Sequence, residues 1–257
     1  MWLAQPANLA SYAGDGVDES YAGATAKLAF AAEVRGADPT SFGGVDLIMR
    51  LRALQQPSGR FADRSQWGDY SNSLGQSFAL LALARTPGGA PAEAVGFLAG
   101  AQCADGGFPV SFAQPICVSD PDATALAAQA LAATGRGTEA RAGLSWLTAH
   151  QLSDGSLAAA GAAAGNANST GLAAQALLTG GRPLAGVKAW AFVHSLQAGC
   201  SAQVADRGAV AYDATGLDPA TATRATAQAV LGLSGTPLAT LSSHGARAAA
   251  PGLVCAH

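Results

Sequence analysis

A glutamine recurs along this chain of 257 residues at nearly constant spacing. It stands each time at the end of an apolar stretch with helical periodicity, at Gln55, Gln102, Gln151 and Gln197, and the steps are 47, 49 and 46 residues. The best-preserved copies read Phe97-Leu98-x-x-x-Gln102-x-x-x-Gly106-Gly107-Phe108 and Trp146-Leu147-x-x-x-Gln151-x-x-x-Gly155-Ser156-Leu157. Self-similarity at such a period is typical of helical repeat proteins, in which each unit buries its apolar face against its neighbours.

A second series, rich in Ala and Leu, runs half a period out of phase with these glutamines. The segments that begin at Asp122, Asn168 and Thr221 align without a gap, and each has a glutamine seven residues further on. Each period therefore contains two helices. Because the second series is apolar on nearly every face, it is predicted to form an inner ring, and the first series is predicted to pack outside it. The predicted inner helices are 22–34, 73–85, 122–134, 169–179 and 221–233, and the predicted outer helices are 44–56, 91–102, 138–151 and 184–197.

The composition favours a single domain, residues 1–257. Apolar residues make up 49% of the chain, which at this length is enough for one sizeable core. The net charge is -3 and the Lys and Arg residues form no cluster. A nucleic-acid partner is therefore not expected, because binding to phosphates requires grouped cations. Nor is a membrane span expected, since Gly, Pro or polar residues interrupt every apolar stretch before the roughly 20 residues that a span needs.

The chain is predicted to begin inside a repeat. Trp2-Leu3 resembles Trp146-Leu147 near the end of an outer helix, and a Gly-Asp-Gly turn follows it. The ring is therefore predicted to be incomplete at its N-terminus, and a preceding segment, with a secretion signal, would be missing from this sequence. An open ring would expose an apolar edge, which should associate with another molecule or be covered.

Four cysteines without a Cys-x-x-Cys pattern favour disulfides over a metal site. Cys103 and Cys117 flank one connector, and a bridge there would contribute about 3 kcal/mol in the chain-entropy model. Cys255 could pin the C-terminal tail to the loop that contains Cys200. Disulfides predict an extracellular or cell-surface protein, and buried free thiols are the alternative. The histidines are scattered without the spacing of zinc ligands, so no metal and no cofactor is expected.

Polar residues of the predicted inner helices are the candidate ligand contacts. Seven residues make two helical turns, so each polar residue at a helix start lies on the same face as its glutamine. If that face looks into the lumen, one polar tier forms near the helix starts and a second lies deeper. The simpler interpretation is that the first residues cap the helices and the glutamines bond to neighbouring loops. The first tier is Ser20, Asn72, Asp122, Asn168 and Thr221, the deeper tier is Gln129, Gln175 and Gln228, and the rim loops add Trp67, Tyr70 and Tyr212.

The Phe-Leu-x-x-x-Gln-x-x-x-Gly-Gly-Phe pattern of residues 97–108 resembles the QW repeat of squalene cyclases and the Gly-Gly-Phe repeat of protein prenyltransferase β subunits. The resemblance extends over nearly the whole chain as repeats. It implies an all-α fold, an α/α toroid with an inner and an outer ring of helices. It does not by itself imply an activity, because the same superfamily contains carriers and complement-type domains without catalysis.

One segment is similar to a catalytic motif. Class II terpene cyclases protonate an alkene or epoxide with the middle Asp of Asp-x-Asp-Asp-Thr-Ala, and this chain reads Asp120-Pro-Asp122-Ala123-Thr124-Ala125. The resemblance places Asp122 on the general acid and matches Asp120, whereas Ala123 departs from the motif. The second helical domain and the aromatic lining of those enzymes are missing, which disfavours cyclisation. Prenyl transfer is disfavoured too, because the chain has no Asp-x-Cys for zinc.

The repeats also resemble the toroid of cobalamin carriers and a broad group of secreted bacterial surface proteins. The resemblance to the carriers implies a small-molecule ligand in the lumen, with Asp, Asn and Gln facing the corrin amides. Because the carriers clamp their ligand with a second β-rich domain, a lone toroid would bind more weakly or need a partner protein. The sequence thus favours a non-catalytic toroid that binds a ligand, specifically a corrinoid, or a partner. The alternatives are a terpene-cyclase-like enzyme with Asp122 as acid and a structural surface module.

Overall fold

The computed structural model describes residues 2–246 together with residues 253 and 255. These residues form ten α-helices, three short 3-10 segments and one small antiparallel ladder, in which Phe108 pairs with Asp120 and Pro109 with Ser119. The helices are α1 (Pro6–Ala13), α2 (Ala22–Val34), α3 (Leu47–Ala53), α4 (Ser73–Leu83), α5 (Ala92–Gly100), α6 (Pro121–Ala133), α7 (Gly137–Ala149), α8 (Ala167–Thr179), α9 (Pro183–Ser195) and α10 (Pro219–Ser234); the strands are β1 (Phe108–Pro109) and β2 (Ser119–Asp120); and the 3-10 segments are Trp2–Ala4, Val204–Asp206 and Leu238–Thr240.

The helices form two concentric layers. The even-numbered helices pack side by side in the order α2, α4, α6, α8, α10, and the odd-numbered helices from α3 to α9 pack against them from outside. The observed inner helices begin and end within two residues of the predicted spans, whereas the outer helices end two or three residues before the predicted ends. The predicted all-α architecture of inner and outer helices is confirmed.

The repeated glutamines lie just past the ends of the outer helices and join three parts of the repeat. The Gln102 side chain donates from Nε2 to the Gly106 carbonyl at 2.8 Å and to the Glu139 carbonyl at 2.9 Å. Gln151 makes the same two bonds, to Gly155 at 2.8 Å and to Ala185 at 2.9 Å. Gln102 and Gln151 thus each link their own helix end, the following turn and the next outer helix, whereas Gln197 bonds to its following loop at Gly208. The spacing that defines the sequence repeat is therefore structural.

Glycines allow the inner helices to approach closely. A Cβ on Gly75 would lie 2.9 Å from the Cα of Gly23 on the neighbouring helix. On the opposite side of the ring, Gly171 of α8 packs against Ala229 and Gly232 of α10, where a Cβ on Gly171 would lie 2.9 Å from the Ala229 Cα. Since backbone atoms already fill these positions, any side chain there would force the helices apart.

The two ends of the ring differ. All inner helices begin at one end, the mouth, where the long loops 54–72, 101–120, 150–166 and 196–218 also lie. They end at the other end, the base, where the connections 35–46, 84–91, 134–136 and 180–182 are shorter. After α10, Gly235 turns the chain in a left-handed conformation (φ 61°). Residues 236–243, here termed the strap, then cross the base and reach α2, where the Ser243 amide donates to the Val34 carbonyl at 2.7 Å.

Two disulfides are present, as predicted. Cys103 pairs with Cys117 across the mouth loop between α5 and α6, with 14 residues of separation. Cys200 pairs with Cys255, with 55 residues of separation, and ties the tail beyond the strap to the loop between α9 and α10. Among residues 2–246, 253 and 255, no helix combines the length and the apolar character that crossing a bilayer requires.

Candidate functional site

The residues that cap the inner helices differ in part from the predicted caps. Asn72 caps α4 as expected, with its side chain accepting from the Gly75 amide at 3.0 Å. The other predicted caps, Asp122, Asn168 and Thr221, lie inside their helices, so these predictions are wrong. Proline at the first helical position moves the start of α6 and α10 towards the N-terminus, because its fixed φ suits that position. The observed caps of the three helices are Asp120, Asn166 and Asp218.

A hydrogen bond repeated at the mouth gives the true register of the repeats. The amide of a buried loop residue donates to a side chain near the start of the next inner helix: Phe61 to Gln76, Phe108 to Thr124, Leu157 to Thr170 and Val210 to Thr226. The residues two positions before these acceptors are equivalent to one another. They are Leu74 in α4, Asp122 in α6, Asn168 in α8 and Arg224 in α10. Asn72 and Thr221 therefore do not belong to the same tier, and sequence alignment missed Arg224.

Asp122 and Asn168 lie side by side on neighbouring helices, and each leaves a polar atom without a partner. Oδ1 of Asp122 and Oδ1 of Asn168 are buried and accept no hydrogen bond within the part of the chain that is described. Burial raises the pKa of the Asp122 carboxyl more than the nearby Ser169 hydroxyl lowers it, and the Asp120 carboxylate raises it further. Asp120 itself caps α6, since its Oδ1 accepts from the Asp122 and Ala123 amides at 2.9 Å each. Burial of this kind disfavours the ionised form of a carboxyl.

Two of the three residues of the deeper tier, Gln129 and Gln175, already have partners within the chain. The Gln129 and Gln175 side chains bond to each other at 3.3 Å. Gln129 Oε1 also accepts from the Leu238 amide at 3.3 Å, and Gln175 Nε2 donates to the Thr236 carbonyl at 2.6 Å. Both partners belong to the strap. Gln228 aligns with them in the sequence. Relative to the acceptor Thr226 of its own helix, however, it lies about one turn closer to the mouth. Its buried Oε1 has no partner among the described residues.

The rim aromatics differ in exposure. Trp67 is 71% exposed and Tyr70 74% exposed, whereas Tyr212 is 36% exposed. The loop that carries the first two is fixed by an ion pair between Arg60 and Asp69 with an N–O distance of 2.9 Å. Large aromatic side chains held out to solvent on a fixed loop are unusual in a soluble domain and suit a contact with another molecule.

An open cavity of about 350 Å³ lies at the mouth, over α2 and α4. Gly23, Ala24, Leu74 and Phe78 are among the residues that form its apolar wall. Its polar border includes the side chains of Tyr12, Tyr21, Lys27, Asp63, Tyr70 and Asn72. Two residues predicted for the site, Tyr70 and Asn72, therefore meet in one cavity, whereas Asp122 and Asn168 lie elsewhere on the ring.

Three features define the chemistry of this mouth cavity. The Lys27 ammonium lies 5.8 Å from the centre of the Phe78 ring, so a cation and an aromatic face stand together. Burial raises the pKa of Tyr12, and burial with the Glu19 charge raises the pKa of Tyr21, so both phenols stay neutral hydrogen-bond donors. Asp63 uses both carboxylate oxygens to accept backbone amides, from Ala22 at 2.7 Å and Tyr70 at 3.1 Å.

Sequence reasoning missed four polar members of this cavity: Tyr12, Tyr21, Lys27 and Asp63. The signal for Lys27 was present, because it is the charged residue in a repeat whose other copies carry Gln or Ala at the aligned place. Tyr12 lies in the last turn of α1 and Tyr21 directly before α2, and both are outside the repeated pattern. Only the fold brings them to the cavity.

No protein-family model and no curated protein sequence matches the chain. Among solved structures it is similar to ent-copalyl diphosphate synthase from Streptomyces platensis, with a TM-score of 0.50 and 17% sequence identity. The match covers 83% of this chain and 46% of that one, so the chain spans about half the length of its structural neighbour. At this identity the likeness shows the fold alone. The chain has the α/α toroid fold of terpene cyclases, as the repeat resemblance implies.

Proposed function

We propose that this chain is a non-catalytic, extracellular binding toroid whose ligand occupies the mouth cavity over α2 and α4. The observation behind the proposal is the combination, in one open cavity, of the Lys27 ammonium, the Phe78 ring and neutral phenols. Binding sites of small molecules are typically concave and apolar with a few convergent polar groups. Two disulfides support the extracellular location, because they persist in oxidising compartments.

The chemistry of the cavity favours a small anionic amphiphile. An acidic group would pair with Lys27, and a ring or a branched apolar part would lie against Phe78 and Leu74. A volume of about 350 Å³ is at the lower end of the range for small-molecule sites. A corrinoid, the ligand that the resemblance to cobalamin carriers suggests, exceeds that volume. It would rest mainly on the rim, against Trp67 and Tyr70.

The test is a titration with 8-anilinonaphthalene-1-sulfonate, an anionic aromatic probe, followed by its fluorescence. We expect saturable one-to-one binding that Lys27→Gln weakens roughly two- to fivefold, the size of an exposed charge contact. Lys188→Gln is the matched control, because it removes the other lysine of the chain, exposed on α9. If both variants bind like the parent chain, the assignment of the ligand to the mouth cavity is wrong.

A second titration addresses the corrinoid. Hydroxocobalamin and cobinamide are followed by visible absorbance. A saturable shift that Trp67→Ala abolishes would identify a corrinoid ligand held at the rim. If the visible absorbance does not change but the naphthalene probe binds with saturation, the result favours the smaller anionic ligand.

An enzyme is the second candidate, favoured by the buried Asp122 carboxyl with its unpartnered oxygen and raised pKa. A carboxyl whose burial disfavours ionisation suits the general acid of a cyclisation. The structural neighbour, named a diphosphate synthase, is consistent with this alternative in fold only. Incubation with a linear polyprene that carries a terminal epoxide tests it. A cyclic product formed by the parent chain and absent with Asp122→Asn would make the chain an enzyme. Should no product form, catalysis is excluded for that substrate.

A further inference from the structure

The strap lies in a groove formed by inner helices at the base of the ring. The contacts come from Val34 of α2, Arg85 just after α4, Gln129 of α6 and Gln175 of α8. Arg85 donates from one guanidinium nitrogen to two strap carbonyls, Leu238 at 2.8 Å and Leu241 at 2.7 Å. The groove thus extends across four successive units of the repeat.

All of these hydrogen bonds end on main-chain atoms of the strap. The groove contacts the carbonyls of residues 236, 238 and 241 and the amides of residues 238 and 243. Main-chain contacts hold a peptide by its backbone shape, and side-chain pockets then add specificity. The Leu238 side chain fills such a pocket and is 2% exposed, and Leu241 packs against the same core.

The fit around Pro237 and Ala239 is looser. Beneath them lies a cavity of about 230 Å³, whose lining includes small residues such as Ala132, Ala176 and Gly180. The strap is therefore held by hydrogen bonds to its main chain and by the buried Leu238 side chain. It does not pack closely along its whole length. This is the arrangement expected of a site for a short peptide of the form Pro-Leu-x-x-Leu with one 3-10 turn.

We propose that the base of the ring is a peptide-binding groove, and that it accepts the strap of a second copy of this chain when the chain's own strap is released. The strap joins the ring through Gly235, which ends α10 in a left-handed conformation and, having no Cβ, is less restricted than other residues in the directions in which the chain can leave the helix. Exchange of an identical segment re-forms the same contacts between two chains, so it is an accessible route to a dimer. The strap sequence of this chain is the one that fits the groove, which argues for a second copy as the partner.

The Cys200–Cys255 disulfide opposes this exchange. It anchors the tail beyond the strap to the loop between α9 and α10 of the same chain. The strap is then fixed at both ends, by Gly235 and by the disulfide, and its effective concentration at its own groove is high. Replacement of both cysteines by serine removes one anchor and leaves the other disulfide of the chain intact.

The experiment mixes two full-length variants, both with Cys200→Ser and Cys255→Ser. One carries Leu238→Asp, which prevents its strap from filling the apolar pocket and leaves its groove unchanged. The other carries Arg85→Leu and Gln129→Leu, which remove hydrogen bonds of the groove and leave its strap unchanged. We expect each variant alone to sediment as a monomer at high micromolar concentration, and the mixture to form a one-to-one complex.

A fluorescein-labelled synthetic peptide of residues 235–243 gives an independent measurement. We expect it to bind the Leu238→Asp chain with saturation, and to bind at least about tenfold more weakly when Arg85→Leu and Gln129→Leu are added, as the loss of charged and neutral hydrogen bonds implies. The same peptide with Asp in place of Leu238 is the control. Circular dichroism and thermal melting establish that each variant is folded; if Leu238→Asp is not, Leu238→Ser replaces it. Folded variants that stay monomeric in the mixture and do not bind the peptide would overturn the proposal.

Discussion

The mouth and the base of this ring use the same kinds of polar residue in opposite ways. On α8, Asn168 near the mouth and Gln175 near the base lie two turns apart on one face. Gln175 has partners on the neighbouring helix and on the strap, whereas Oδ1 of Asn168 has none in the described structure. On α6, Asp122 and Gln129 repeat the difference. A polar residue on an inner helix is therefore not by itself a sign of ligand binding.

The difference between the two ends lies in what covers them. The strap covers the base and supplies the carbonyls and amides that the glutamines need. The mouth is bordered by long loops that leave an open cavity with Lys27, Phe78 and several tyrosines. The base thus resembles a folded interior, whereas the mouth has the exposed aromatic and charged groups of a binding surface.

The largest expected effect compares Leu238 at the base with Trp67 at the rim. Leu238→Ala removes a side chain that is 2% exposed, and we expect a loss of about 2–4 kcal/mol in the free energy of unfolding. Trp67→Ala removes a larger side chain that is 71% exposed, and we expect a change within about 0.5 kcal/mol. Urea unfolding followed by circular dichroism measures both. Similar losses for the two variants would mean that the rim is as much a part of the core as the base is.

The next prediction uses the matched pair on α8. Gln175→Leu leaves the Thr236 carbonyl and the Gln129 amide without their partner, so we expect a loss of about 1–3 kcal/mol. Asn168→Leu removes a buried oxygen that accepts no hydrogen bond in the described structure, so we expect no loss or a small gain. The same unfolding measurement compares them. A large loss for Asn168→Leu would indicate that this amide has a partner, such as a bound water.

Much of the fold follows from the sequence, and the reason is periodicity. The glutamine repeat gives the outer helices and the Ala/Leu repeat the inner ones, because each unit must bury the same faces. The disulfides also follow, since Cys103 and Cys117 flank a single connector. The starts of α6 and α10 do not follow from the sequence alignment. That alignment began at Asp122 and Thr221, and it ignored the proline that follows the observed caps, Asp120 in α6 and Asp218 in α10.

The candidate site was harder to predict. Tyr70 and Asn72 border the mouth cavity, but Tyr12 and Tyr21 reach it from the end of α1 and the start of α2, where the sequence has no repeat pattern. The strap has no repeat pattern either, so nothing in the sequence showed that Gln129 and Gln175 would be engaged by it. Contacts between a periodic scaffold and a non-periodic segment depend on the path of the chain, and local sequence does not encode that path.

A third prediction concerns Glu33 in the last turn of α2, at the base. Burial raises the pKa of this carboxyl from 4.5 to about 7, and Arg85 opposes the shift. The folded state therefore holds a proton that the unfolded state has lost between these two values, so the stability of the protein falls as the pH rises through this window. Since the group is only half-buried, screening reduces the effect to roughly 1–2 kcal/mol.

Glu33→Gln should remove this pH dependence. We expect the variant to be more stable than the parent chain at pH 8 and to differ little from it at pH 4.5, as thermal melting at the two pH values would show. Arg52 and Asp38 border the same cavity as Glu33 and Arg85, so Asp38→Asn is the control for a general charge effect. An equal response of both variants would assign the pH dependence to the net charge and not to the buried carboxyl.

The smallest expected effect belongs to Asp122 near the mouth. Burial and the Asp120 carboxylate raise its pKa, so its ionised form opposes folding, and the stability it contributes falls as the pH rises from the ordinary value for Asp through the raised one. Asp122→Asn should flatten this part of the stability curve. We expect the change to be smaller than for Glu33→Gln, because the Ser169 hydroxyl offsets part of the effect of burial on the Asp122 carboxyl. Asn168→Asp provides the reciprocal variant, since it places a second carboxyl at the equivalent position of the next helix and should steepen the fall. If Asp122→Asn instead lowers stability at every pH, the carboxylate has a stabilising partner at the mouth, and the contrast between Asp122 and the bonded Gln129 would not hold on α6.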